Sequence, residues 1–118
     1  MNKEDKELLL KDLCARLPYG VKIQVPYEDG SGYFDETVWE VNNDGPFHVN
    51  GWGIEYEYVK PYLFPLSSIT KKTLEELSAY IDIKNAYVAV EFFNSHHIDY
   101  RGLIEKGLAI DATGLNIY

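Results

Sequence analysis

Two tight-turn sequences, Asn43-Asp44-Gly45 and Asn50-Gly51, divide an aromatic stretch of the chain into short segments. Asn-Gly favours a two-residue hairpin loop, and a three-residue loop takes glycine in its left-handed position. In the resulting register Val41 faces Phe47, and residues that face each other lie on one side of a sheet. The turns therefore predict an antiparallel meander with one apolar face. The predicted face comprises Trp39, Val41, Phe47, Val49, Trp52, Ile54, Tyr56 and Tyr58.

The opposite face of this meander is predicted to be acidic, with Glu40 directly across from His48. Residues 17–59 contain one basic residue, Lys22, against eight acidic residues, a net charge of −7 within a chain whose net charge is −8. Such a surface repels phosphate and attracts cationic groups. The candidate protein-binding residues are Glu36, Glu40, His48, Glu55 and Glu57, with Val38 on the same face.

The segments on either side of the meander predict helices and further strands. Leucines at helical spacing predict an N-terminal helix over 3–16, with Asp12 on its charged, exposed face. The segment Ala86–Phe93, rich in valine and aromatic residues, predicts a strand. The other expected elements are a strand over 21–25, a proline-bounded connector over 60–66, a helix from Thr70 to about Tyr80, a short helix over 99–106 and a final strand over 107–112.

The order of these elements predicts an α+β fold in a single domain over 1–118. This domain combines the helix 3–16, a meander sheet over 20–59 and a region of helix and strand over 70–118. A meander with tight turns followed by a proline-containing connector is similar to a small SH3-like barrel, a topology that does not by itself specify a function. A chain of 118 residues is long enough for one such core.

Composition argues against several classes of protein. Cys14 is the only cysteine, so an intramolecular disulfide cannot form and a cysteine-based metal site is not expected. No long apolar run follows the charged N-terminal residues, so we expect neither a secretory signal nor a membrane span, and we expect a cytoplasmic protein. Without a basic patch, direct nucleic-acid binding is not expected either.

Four segments, Leu17–Val21, Lys60–Ser68, Asp99–Ile104 and Gly107–Ala112, carry a resemblance to other proteins. In these segments the chain resembles a group of small, uncharacterised proteins of gut Bacteroides-type bacteria and their phages or mobile elements. The resemblance covers most of the chain, with 27–58 as its least distinctive part. It implies a bacterial or phage cytoplasmic setting, and it assigns no activity or functional residue.

Few side chains have catalytic or metal-binding chemistry in a suggestive pattern. His96, His97 and Asp99 form the one cluster with metal-ligand residue types, but adjacent histidines on a strand point to opposite sides. The sequence favours a polar loop there. His48 beside glutamates contains the parts of an acid–base pair, yet an exposed sheet face favours a solvated ion pair.

Aromatic residues beside the predicted loops suggest another kind of site. Most aromatic residues fall on the predicted apolar face, where they would pack in the core. Exposed aromatic side chains next to acidic residues would suit a protein or sugar partner. The residues in or beside loops are Tyr27, Tyr33, Phe34 and Tyr62.

The sequence therefore favours a non-enzymatic cytoplasmic binding or adaptor protein whose acidic sheet face contacts a basic surface of another protein, without a cofactor. Three alternatives stay open. They are a nucleic-acid charge mimic from a phage or mobile element, a metal-assisted hydrolase built on His96, His97 and Asp99, and carbohydrate binding through loop aromatics. A strand left uncovered at an end of the sheet would favour a homodimer.

Overall fold

The computed structural model describes residues 2–27, 29–38, 40–42, 45–47, 58–69, 75 and 86–118. The described elements are helix α1 (Lys3–Arg16), strands β1 (Lys22–Pro26), β2 (Tyr33–Thr37), β3 (Glu40–Asn42), β4 (Gly45–Phe47) and β5 (Lys60–Pro65), helix α2 (Ala86–Ser95), and strands β6 (Ile98–Asp99) and β7 (Ile110–Asp111). The fold is α+β, as predicted. No helix among these residues is long and apolar enough to cross a membrane. Apart from Glu75, the predicted helix over 70–80 lies outside the described residues.

Helix α1 has the bounds that the leucine spacing predicts. The side chain of Asn2 caps it by accepting a first-turn backbone N–H at 2.7 Å. Leu9 and Leu13 are fully buried, and Asp12 and Arg16 lie on the same buried face. The prediction that Asp12 is exposed is wrong, because its carboxylate pairs with the Arg16 guanidinium at 2.9 Å inside the protein. A buried charge requires such a partner.

The main sheet has the strand order β2-β1-β5-β6, and β7 also pairs with β5. Strand β1 is antiparallel to β2 and β5, whereas β6 and β7 are parallel to β5. The alternation of β1 buries Ile23 and Val25 and leaves Lys22 and Gln24 half-buried, which confirms the predicted strand. We call the face that carries Ile23 the inner face and the face that carries Gln24 the outer face.

The hydrophobic core joins α1 to the inner face of the sheet. Leucines of the helix and valine and isoleucine side chains of β1 belong to one buried cluster, which the loop before β7 completes. Burial of this apolar surface is the main favourable term in folding. The cluster comprises Leu9, Leu13, Val21, Ile23, Val25, Val38, Val59, Leu63, Leu103, Leu108 and Ala109.

Strands β3 and β4 form a separate two-stranded antiparallel sheet. Val41 pairs with Pro46, and Glu40 pairs with Phe47. The predicted register, which placed Val41 opposite Phe47 and Glu40 opposite His48, is therefore wrong by one residue. Because Asn42 pairs with Gly45, Gly45 belongs to β4 and not to the predicted three-residue loop.

Further predictions about the meander also need correction. Val38, predicted on the acidic face, is 2% exposed, because its N–H donates to the carbonyl of Val21 at 3.0 Å and continues the β1–β2 ladder into the core. Tyr58, predicted on the apolar face, is 56% exposed. The described strands form open sheets, so an SH3-like barrel is not confirmed. The Asn50-Gly51 turn and both tryptophans lie outside the described residues.

The proline-bounded segment predicted as a connector is instead the central strand β5, and a 3₁₀ turn over Leu66–Ser68 follows it. Pro61 and Pro65 lie near the ends of the strand, where a missing N–H disrupts the ladder least. In the interior, the Phe64 N–H and the Leu63 carbonyl each hydrogen bond to a neighbouring segment at 2.8 Å.

The predictions for the second half of the chain are the least accurate. The segment Ala86–Phe93, predicted as a strand, lies within helix α2. A short apolar run does not distinguish a strand from a helix by periodicity alone. The short helix predicted over 99–106 is also wrong, because Asp99 ends β6 and turns follow it. The final strand predicted over 107–112 is confirmed for Ile110–Asp111.

Candidate functional site

The loop between β1 and β2 is ordered by its own hydrogen bonds. The Tyr27 N–H donates to the carbonyl of Gly32 at 2.9 Å and closes the loop. Inside it, the Asp29 carboxylate accepts the Ser31 N–H at 2.9 Å. Hydrogen bonds from the side chain and the N–H of Ser31 hold the pKa of Asp29 below its usual value. The loop is therefore anionic at neutral pH.

Two tyrosines project from this hairpin. Tyr27 and Tyr33 are 48% and 63% exposed. The Tyr27 ring packs against Phe34, with ring centroids 5.1 Å apart, whereas Tyr33 alternates to the other face of β2. Asp35, which follows Tyr33 by two residues in β2, is also exposed. We call residues 27 and 29–37 the acidic hairpin.

The predicted acidic face is not assembled as the sequence suggests. Glu36 is half-buried and pairs with Ile23, so it lies on the inner face of the main sheet. Glu40 lies in β3, in a different sheet, opposite Phe47. The three remaining candidate residues, His48, Glu55 and Glu57, lie outside the described residues.

A hydrogen-bonded tyrosine connects three strands on the outer face. The Tyr62 hydroxyl donates to Asp35 Oδ1 at 2.5 Å and accepts from Gln24 Nε2 at 3.2 Å. Tyr62 is 4% exposed, although the sequence placed it beside a loop. Burial, and then the Asp35 carboxylate, raises the pKa of Tyr62 to about 12. The hydroxyl therefore stays protonated and serves as a donor.

Ile117 and Tyr118, which we call the strap, lie on the same outer face. The Tyr118 hydroxyl donates to the Tyr62 carbonyl and accepts the Lys22 N–H, both at 2.8 Å. The Lys22 ammonium donates to the Ile117 carbonyl at 2.8 Å. Tyr118 is 42% exposed, but burial raises its pKa to about 12, consistent with a hydroxyl held against the two strands.

His97 lies under the strap with its ring stacked on Tyr118, the ring centroids 3.8 Å apart and the planes inclined by 11°. His97 is 8% exposed, and its φ of 57° is in the left-handed region that non-glycine residues seldom occupy. Among the described residues, its Nδ1 has no hydrogen-bond partner. Burial, and then the charges of Arg16, His96 and Lys22, lowers the pKa of His97 to about 4.

A buried charged cluster joins α1 to the segments that follow α2. Asp12 accepts hydrogen bonds from Arg16 Nε at 2.9 Å and from Arg101 Nη1 at 2.7 Å. The other Arg16 nitrogens donate to the carbonyls of Phe93 at 3.4 Å and Ile98 at 2.5 Å. Because every guanidinium nitrogen of Arg16 has a protein partner, this cluster holds the fold together.

The histidines and the aspartate considered for metal binding serve separate partners. The exposed His96 has its Nδ1 at 2.9 Å from the Phe92 carbonyl and stacks on the ring of Phe92. His97 stacks on the strap, and the Asp99 carboxylate accepts two backbone N–H groups of the next turn. Within the described part of the chain, no group of three or more histidine, cysteine, aspartate or glutamate side chains is placed to hold a metal ion.

The sequence patterns did not predict the side chains that converge on the outer face and on Asp12, namely Arg16, Tyr118 and His97. Arg16 gave a usable signal, because it lies three residues after Leu13 and therefore on the leucine face of α1. Tyr118 and His97 gave none, because their contacts with Lys22 and with each other depend on tertiary structure. Comparisons with models of protein families, with curated proteins and with solved structures find no match to this chain.

Proposed function

We propose that this protein is a non-enzymatic binding or adaptor module whose acidic surface contacts a basic surface of another protein. The observation that carries the proposal is the acidic hairpin, where Tyr27 and Tyr33 are exposed beside the exposed carboxylates of Asp29 and Asp35. The face of a tyrosine ring attracts a guanidinium or ammonium group, and a nearby carboxylate accepts its hydrogen bonds. An arginine-rich or lysine-rich protein surface has the matching chemistry.

The charge balance around the acidic hairpin supports the same partner. Lys22 is the one cation of residues 17–59, and its ammonium is bonded to the Ile117 carbonyl and lies 6.0 Å from the centroid of the Tyr118 ring. It is therefore directed to the strap and away from the tip of the hairpin. We include the other candidates of this acidic stretch in the proposed surface, which comprises Glu36, Glu40, His48, Glu55 and Glu57 together with the hairpin. A bacterial or phage cytoplasm is the proposed setting.

The test is affinity capture from the native host at low and high salt, with two variants that remove the same charge. The first replaces Asp29 and Asp35 of the acidic hairpin by asparagine and Glu55 and Glu57 by glutamine. The matched control replaces four exposed glutamates elsewhere, namely Glu4, Glu7, Glu75 and Glu105. We expect the first variant to lose the salt-sensitive partner while the control retains it, because screening weakens a charged interface. Unchanged affinity and salt dependence in the first variant would refute the proposal, and equal losses in both would indicate attraction by net charge alone.

The exposure of Tyr33 favours carbohydrate binding as a second candidate. A sugar ring packs on an exposed aromatic face, and Tyr33 is 63% exposed. In a glycan array, Tyr33→Ala would then abolish the signal, whereas the four carboxylate replacements would leave it intact, because an amide still hydrogen bonds to sugar hydroxyls. Retention of glycans by Tyr33→Ala, or failure of the native protein to bind any glycan, would dismiss this candidate.

A further inference from the structure

The strap is attached to the outer face by few groups. Residues 113–116, which precede it, are exposed. The Tyr118 hydroxyl bonds to the Lys22 N–H and the Tyr62 carbonyl, and the Lys22 ammonium bonds to the Ile117 carbonyl. The hold on the strap therefore depends on the Tyr118 side chain, whose ring also lies 6.0 Å from that of Phe64, on the Lys22 ammonium group and on the ring on which Tyr118 stacks.

That ring belongs to His97, whose backbone is held in place. The His97 carbonyl accepts the Phe64 N–H at 2.8 Å, and the His97 N–H donates to the Asn94 carbonyl at 3.2 Å. With φ at 57° and 8% exposure, the ring is confined between the protein and Tyr118. Because the imidazole ring is confined, it cannot rotate towards another hydrogen-bond acceptor when its protonation state changes.

The charges around His97 oppose a second proton on its ring. Arg16 of α1, Lys22 of β1 and the neighbouring His96 all act to disfavour the imidazolium form. An imidazolium carries N–H groups on both ring nitrogens, and the buried Nδ1 has no hydrogen-bond partner among the described residues. The carboxylates of Asp12 in α1 and Asp99 in β6 are engaged elsewhere: Asp12 with Arg16 and Arg101, and Asp99 with the N–H groups of Leu103 and Ile104. The Tyr62 and Tyr118 hydroxyls of the outer face both donate hydrogen bonds, Tyr62 to the Asp35 carboxylate and Tyr118 to the Tyr62 carbonyl.

We propose that protonation of His97 releases the strap from the outer face, so that the protein is closed at neutral pH and open in acid. An imidazolium in this position would be buried and repelled by the charges of Arg16 and Lys22, and its Nδ1–H would have no acceptor among the described residues. Release of Tyr118 admits water to the ring and removes those penalties. Opening also exposes the Lys22 N–H and the Tyr62 carbonyl, which the strap covers in the closed form.

Methyl NMR of isoleucine-labelled protein tests the switch directly. Ile117 reports on the strap, while the fully buried Ile23, a member of the core cluster, reports on the core. Lowering the pH should move the Ile117 resonance to a new position with a midpoint between 6.5 and about 4, before the core resonances change. The position reached should match that of Tyr118→Leu, in which the stack and the hydroxyl are absent at every pH.

Two replacements of His97 separate titration from packing. His97→Phe keeps an aromatic ring under Tyr118 but cannot be protonated, so its Ile117 resonance should stay at the closed position in acid. If that variant does not fold, His97→Asn tolerates the left-handed backbone and should show an Ile117 position that is independent of pH over the same range. A strap that stays closed until the core unfolds, or one that opens at the same pH in the non-titrating variant, would overturn the proposal.

Discussion

Asp12 shows how a single carboxylate can organise a charged interior. It is fully buried, and it lies within hydrogen-bond distance of two guanidinium groups from distant parts of the chain. Burying ions is unfavourable unless each one is paired and hydrogen bonded. Arg16 meets this requirement through Asp12 and two backbone carbonyls, and Arg101 also lies over the ring of Tyr100 at 4.4 Å. Loss of the shared carboxylate would leave both cations without their partner.

We therefore expect Asp12→Asn to lower the free energy of unfolding by about 3–5 kcal/mol, the usual effect of removing one partner from a buried ion pair. Urea denaturation followed by circular dichroism measures this change. The matched control is Glu7→Gln, which breaks the exposed pair between Lys3 and Glu7 at 4.0 Å on the same helix. Its effect should be no more than about 0.5 kcal/mol.

Equal losses in these two variants would contradict this account of Asp12. A milder loss than expected would mean that water reaches the two guanidinium groups when the carboxylate is absent. Because Asn keeps the shape of the side chain, the comparison reports on charge and not on a cavity.

At the scale of elements, β5 shows where sequence patterns reach their limit. Its two prolines indicate a connector when only local propensity is considered. The strand forms because β1 pairs with it on one side and β6 and β7 supply parallel partners, all from distant parts of the chain. In contrast, α1 and β1 were predictable, since a leucine repeat and a strict alternation are properties of the local sequence.

Helix α2 is the opposite case, because its sequence predicts a strand and the structure has a helix. Ala86–Phe93 has the valine and aromatic content of a strand, but these residues form a helix whose Asn94 is buried and whose Val90 is 37% exposed. Contacts of the helix end explain part of the preference. Asn94 accepts a hydrogen bond from the Tyr100 hydroxyl at 2.9 Å, and the Tyr19 hydroxyl donates to Glu91. Such tertiary contacts override local β propensity.

The turn after β6 depends on Asp99, whose two carboxylate oxygens accept the N–H groups of Leu103 at 3.0 Å and Ile104 at 2.9 Å. We expect Asp99→Ala to lower the free energy of unfolding by about 1–3 kcal/mol, because a buried N–H loses its acceptor. Amide hydrogen exchange should accelerate at Leu103 and Ile104 before it does so in β1. Glu105→Ala, an exposed change in the same turn, should leave both rates unaltered, and faster exchange in that control would contradict a specific role for Asp99.

At the scale of the whole molecule, the candidate sites join segments far apart in the sequence. Arg16 bonds to carbonyls 77 and 82 residues away, and Lys22 bonds to the strap 95 and 96 residues away. A sequence pattern specifies neither pairing, because periodicity reports on one element at a time. The exposed tyrosines of the acidic hairpin were accessible to sequence reasoning, since they lie beside a local loop. The hydrogen-bonded network on the outer face could not be predicted in this way, because it joins Lys22 to residues 95 and 96 positions away.

Burial of His97 makes the stability of the protein depend on pH in the acid range. Its pKa is lowered from 6.5 to about 4 in the fold, so between these values the unfolded chain binds more protons than the folded protein. The contribution of neutral His97 to the free energy of unfolding is therefore fully present above pH 6.5, and it decreases as the pH falls towards 4. The urea midpoint should be lower at acid pH than at neutral pH for the native protein and for His96→Phe, and this decrease should be smaller in His97→Phe. Equal acid sensitivity in all three would contradict the assignment to His97.

The two tyrosines of the outer face should make stability depend on pH in the alkaline range as well, with the opposite sign. Their pKa values are raised from 10.0 to about 12, so the folded protein keeps protons that the unfolded chain has released. The contribution of these two protonated hydroxyls to the free energy of unfolding is fully present below pH 10.0, and it is lost as the pH rises towards 12. In a tyrosinate absorbance titration, Tyr62→Phe should remove a late-titrating group, because the hydroxyl bonded to Asp35 is absent, whereas Tyr33→Phe serves as the exposed control. If both variants removed the same step, the Tyr62 hydroxyl would be no more enclosed than a surface phenol, and the outer face would lack the hydrogen-bonded network on which the strap rests.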